Sequence, residues 1–187
     1  RIRYESHITL EQKMKTTQEW INEVKSNPEK MRNWLIRQYV GEALAAERIK
    51  SLVDCTDSPR FKTVLERIAS DERKHTEWVG DLLKVRGINI PEPTYEGTRY
   101  WQPILDNLHT FAEIAGAGHH AETMRLIRIR ALADDMDFDE DIRNVFSKIL
   151  PDEEFHAKAF AALSNEEAIE KTRTLHNAGL ELLGLEV

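Results

Sequence analysis

Apolar residues recur at steps of three and four almost from end to end of the chain, the spacing of one face of an α-helix. No segment alternates as a half-buried strand would, so the expected fold class is all-α. Met14, Thr17, Ile21 and Val24, with Leu10 before them, share one face of a first helix over about 9–25, which stops at Ser26-Asn27-Pro28. Asn27 as cap and Pro28 in the first turn open a second helix that reaches about Val53. After the tight turn Asp57-Ser58-Pro59, a third helix carries Phe61, Val64, Leu65, Ile68, Val79, Leu82 and Leu83 and ends at Gly87. The short turn makes these two antiparallel neighbours. Residues 87–102 break the period with Pro91, Pro93 and Gly97, set among the aromatics Tyr95, Tyr100 and Trp101. That stretch is too long for a turn and reads as a crossover running back along a bundle. Pro103 opens the next helix, to about Ala133, and the acidic turn Asp134–Asp139 leads into another with Ile142, Val145, Phe146, Ile149, Phe160 and Leu163 inward. Ser164 with Glu167 forms a capping box for a last helix to Leu183. The expectation is one domain over 1–187: a four-helix bundle with one long crossover, its core at about 28–163, and accessory helices at about 9–25 and 165–183.

The apolar stripes are interrupted by chemistry. On the third helix the inward positions step 61, 64/65, 68, 72, 75, 79, 82, and those at 72 and 75 are Glu72 and His75. On the helix from Ile142 the same steps place Glu153 and His156 inward. Glu42 falls among the inward positions of the second helix, and Glu122 among those of the helix from Pro103. With 22 Glu and seven His in 187 residues, roughly one Glu-x-x-His arises by chance and two are present, so the motif alone says little. Register says more. The midpoint of 42 and 72 is 57, inside the first turn, and the midpoint of 122 and 153 is 137.5, inside the second. Each acid pair therefore faces across its own hairpin. The hairpins also repeat, with 122 − 42 = 80 and 153 − 72 = 81, and Asp71-Glu72-x-x-His75 is echoed by Asp152-Glu153-x-x-His156.

Four carboxylates directed into one core must be neutralised, because an unpaired buried charge costs several kcal/mol. Arg and Lys are missing from the inward positions just named, which leaves protons or metal ions. Four carboxylates and two imidazoles suit a pair of Fe or Mn ions, and four Glu balance two divalent cations.

Composition narrows the function. Lys plus Arg number 26 against 33 Asp plus Glu, a net charge of −7 with no basic run, which disfavours nucleic acid as a partner. The single Cys55 rules out an intrachain disulfide or a Cys-x-x-Cys centre within these residues. No apolar run approaches a membrane span, so no membrane partner is expected and the cytoplasm is the default compartment.

One Glu from each of two helices and Glu-x-x-His from each of the other two resembles the ferritin-like di-iron carboxylate proteins. The closest pattern is that of the rubrerythrin and bacterial di-iron oxidase groups, over about residues 28–163. The resemblance implies a ferritin-like bundle that holds two Fe ions, with Mn or a mixed Mn/Fe pair as the alternative. Glu72 and Glu153 would bridge the metals, with Glu42 and His75 terminal on one and Glu122 and His156 terminal on the other. It implies an oxidoreductase acting on dioxygen or peroxide, with a small organic substrate as a further expectation; Tyr95, Tyr100 and Trp101 are candidate walls or lids of its pocket, and capping of the bundle is their plainer reading. Electrons would come from a separate reductase or from the substrate, since there is no cysteine-rich rubredoxin segment in these residues. His119, three residues before Glu122, is a candidate seventh ligand, and Tyr39, one turn before Glu42, a candidate hydrogen-bond donor or redox-active group. A homodimer is a further expectation, and ferroxidase or iron storage, or a non-catalytic helical interaction module, are the alternative functions. Glu47 and Glu113 compete with Glu42 and Glu122, while His7, His109, His120 and His176 read as surface residues.

Overall fold

The computed structural model describes residues 14–94 and 99–186. Its helices are α1 (Thr17–Ser26), α2 (Pro28–Leu52), α3 (Pro59–Val85), α4 (Gln102–Leu105), α5 (Phe111–Asp134), α6 (Glu140–Leu163) and α7 (Glu166–Leu183), with single 3-10 turns at Val53–Cys55 and Arg99–Trp101. No strand occurs among the described residues. The four long helices α2, α3, α5 and α6 form two hairpins. The Asn27 side chain accepts from the Glu29 and Lys30 amides ahead of α2, and Ser58 caps α3 before Pro59. At the end of α3, Gly87 takes φ 66° and Ile88 N–H donates back to the Leu83 carbonyl, a left-handed stop that suits glycine.

Two apolar clusters bracket the middle of the bundle. At one end Ala45, Ile49, Leu65, Ile68, Ala115, Phe160 and Leu163 pack together, and at the other Leu35, Val79, Leu83, Ile129, Leu132, Ile142 and Phe146 do. The start of α5 thus joins the start of α3, so the crossover spans the bundle. Between the clusters lies a level where the side chains are acidic and basic.

Several boundaries differ from expectation. The first helix starts at Thr17, because Thr16 and Glu19 form a capping box. Lys15 is instead bridged to Leu185, and the expected start at residues 9–13 lies outside the described residues, as does Tyr95. The helix expected from Pro103 divides in two: α4 stops at Leu105, and Thr110 with Glu113 starts α5 through a second capping box. Asn165, rather than Ser164, caps α7, since the Ser164 hydroxyl donates to the Ala112 carbonyl. Pro151 leaves α6 a single helix.

The accessory helix α7 lies on α5, close to Gly116 through Thr172 and Ala168, and meets the Arg99–Trp101 turn at Gly179. A Cβ at Gly179 would stand 2.7 Å from the backbone oxygen of Tyr100. Gly179→Val is therefore expected to destabilise the fold by about 1–3 kcal/mol through overpacking, measured by chemical denaturation.

Candidate metal centre

Each helix delivers its ligand by its stripe. Glu42 from α2, Glu72 and His75 from α3, Glu122 from α5, and Glu153 and His156 from α6 are all buried, and Glu42, Glu72, His75, Glu153 and His156 expose 0% of their surface. Their donor atoms converge in two overlapping groups: Glu42, Glu72, His75 and Glu153 at position 1, and Glu72, Glu122, Glu153 and His156 at position 2, each with its atoms within 4.8 Å of one another. The shared acids divide their oxygens between the two. Glu72 Oε2 and Glu153 Oε1 lie 3.5 Å from His75 Nδ1, whereas Glu72 Oε1 and Glu153 Oε2 lie 3.4 and 3.7 Å from His156 Nδ1. One oxygen to each side is the arrangement a bridging carboxylate needs.

Both oxygens of Glu42, Glu72 and Glu153, and Nδ1 of both histidines, are buried with no hydrogen bond. Buried polar atoms are satisfied in nearly all native interiors, so this many orphaned acceptors in one place fits cations as their partners. Carboxylate and imidazole donors in these numbers suit iron or manganese.

The outer ring nitrogens face aspartates that cross between hairpins. His75 Nε2 lies 3.2 Å from Asp152 Oδ2, and His156 Nε2 lies 3.5 Å from Asp71 Oδ2. Each Asp directly precedes the shared Glu of its own helix, yet stands at the histidine of the other, with a hydrogen bond at His75 and none at His156. An Nε2–H donated to a carboxylate leaves Nδ1 as the ligand nitrogen and fixes the ring's orientation. The sequence repeat displayed both aspartates, but not this exchange of partners.

Without metal, the cluster neutralises itself. Burial pulls the His75 imidazole down, but Glu153 and Glu72 outweigh it and hold it up at about 10; the same balance holds His156 at about 9. Burial, with the Glu153 and Glu72 charges added, raises Glu122 well above the ordinary carboxylate range. Burial also works against ionised Glu153, but Arg125 and the two histidines prevail and lower it. Arg125 corrects the expectation that no basic residue reaches this level. Its Nη2 ion-pairs with Glu42 Oε1 and lies 3.6 Å from Glu153 Oε1. A long side chain rooted one turn beyond Glu122 enters the site although its Cα is not among the stripe positions.

Other expected site residues stand elsewhere. His119 joins neither donor group; its Nδ1 lies 2.9 Å from the Ala157 carbonyl, which turns the ring toward α6. The Tyr39 ring packs against Gly80. Glu113 is occupied by the α5 cap and Lys171, and Glu47 is exposed. His120 and His176 depart from the surface reading because α7 covers that face of α5. The two rings stack at 5.0 Å, His120 donates from Nε2 to the Ile169 carbonyl, and the Tyr100 hydroxyl lies 2.7 Å from His176 Nδ1. Burial lowers His176 to about 4, so Nδ1 is a neutral acceptor for Tyr100.

A model of the rubrerythrin family matches residues 33–164. No curated protein and no solved structure matches the chain.

Two expectations follow. The raised imidazoles contribute stability that is full below the ordinary value of 6.5 and is lost as pH rises through about 9 and 10. The melting temperature of the metal-free protein should therefore fall over that interval, and that of metal-loaded protein should fall less. Asp152→Asn should weaken metal binding by about 10-fold or more, read by competition with a chelating dye.

Proposed function

The chain belongs to the rubrerythrin family of di-iron proteins, and on that premise we propose that it is an oxidoreductase that reduces dioxygen or peroxide at a pair of iron ions. The observation that carries this reading is the pair of overlapping donor sets with their buried, unpartnered oxygens. Two iron ions, when bound, supply one-electron redox steps and Lewis acidity toward an oxygen substrate. Manganese fits the same donors, and the family favours iron.

The chain's own residues define what reaches the site. Glu72 and Glu153 join the two positions, Asp152 holds the His75 imidazole in one tautomer, and apolar layers above and below exclude water. A cavity of about 40 Å³ adjoins Glu122, walled by Ile49, Leu52, Trp101, Gly118 and Phe160. One water needs about 10–15 Å³ of such space, so this cavity suits a substrate of two or three heavy atoms. That size favours dioxygen or peroxide over an organic substrate. Trp101 lines this space, with the Arg48 guanidinium 4.3 Å over its ring, while Tyr100 faces α7. These 187 residues hold one cysteine, the exposed Cys55, so electrons enter from outside them, from a reductase or from the substrate.

The test is rapid mixing of anaerobically reduced, iron-loaded protein with peroxide and, separately, dioxygen. Ferric absorption in the near ultraviolet should appear with at least one oxidant, and its absence with both contradicts the proposal. Ala121→Phe, which fills the cavity, should slow the reaction by about tenfold while leaving the iron content unchanged.

A further inference from the structure

The two donor sets match in composition but not in surroundings. Position 1 adds Glu42 and His75 to the shared acids, and position 2 adds Glu122 and His156. Arg125 sits one turn from Glu122 on α5, yet its guanidinium reaches across to the other set. Nη2 ion-pairs with Glu42 Oε1, the one terminal carboxylate of position 1. It also lies 3.6 Å from Glu153 Oε1, the oxygen that faces His75 rather than His156. Nε and Nη2 are both buried without a hydrogen bond, so water screens this charge little.

We propose that Arg125 is a built-in counter-ion for position 1 that makes the metal positions unequal. Position 2 takes the first ion, and position 1 takes a second only as the guanidinium gives up Glu42. This rests on the metal-centre reading above and adds an order of filling to it. A dication entering position 1 meets a fixed positive charge that competes for the same carboxylate oxygens, in an interior that screens weakly. A dication at position 2 meets Arg125 only through the shared Glu153. Guanidinium keeps its charge at every pH the protein survives, so the block is not lifted by deprotonation. Metal concentration therefore sets whether the chain carries one ion or two.

The test is an anaerobic titration of the metal-free full chain with Co(II), followed by ligand-field absorption and by calorimetry. Wild type should bind one ion and then a second at least about tenfold more weakly. In Arg125→Met the two steps should draw together. Arg125→Lys, too short to hold both oxygens, should narrow the gap in the same direction and carries the test should the Met variant fail to fold. His75→Ala should abolish only the weak step, and Glu122→Gln the tight one. Equal steps in wild type, unchanged curves in both Arg125 variants, or the opposite assignment of the steps overturns the proposal. Absence of Co(II) binding in wild type and Arg125→Met alike overturns the metal centre itself.

Discussion

Four carboxylates in a dry core repel one another and lose their hydration, and the middle of this bundle is built around that problem. The apolar layers at either end make it worse, because they exclude the water that would screen the charges. Only cations resolve it, and the helices are spaced and registered so that donor atoms from four of them meet. Packing, capping and the long crossover serve to hold that meeting point in place.

The protein must also fold before metal arrives. With Glu122 held protonated, the raised imidazoles and the Arg125 guanidinium offset the carboxylate charge that remains in the cluster. Metal binding then replaces mobile protons by dications, which links metal affinity to pH. Asp152 suits both states, since it accepts from the outer nitrogen of His75 whether or not the inner nitrogen is protonated, and Asp71 stands 3.5 Å from the outer nitrogen of His156.

The bundle and six of the converging residues were legible in the sequence because both signals are periodic. Glu42, Glu72, His75, Glu122, Glu153 and His156 break apolar stripes at the level that turn midpoints assign to them. What escaped depends on side-chain reach and on coverage by other elements. Arg125 enters from outside the stripe positions because its stem is long. His119 lies on the stripe but finds a nearer acceptor in the Ala157 carbonyl, and Tyr39 finds space against Gly80. His120 is buried because α7 docks where the α5 pattern alone reads as outward, and His176 on α7 is half-buried in the same contact. Helix starts were misplaced where Thr16 and Thr110 each had a Glu three residues on, a local cap that outranks continued periodicity.

The central claim is that cations other than protons hold these acids together. Its most direct test is equilibrium dialysis of the full chain against ferrous iron without oxygen, with bound iron counted by elemental analysis. The account predicts two ions per chain at saturation and none in a Glu72→Gln/Glu153→Gln double variant that retains its helical circular dichroism. Negligible iron in the wild type, or equal iron in the double variant, would contradict it.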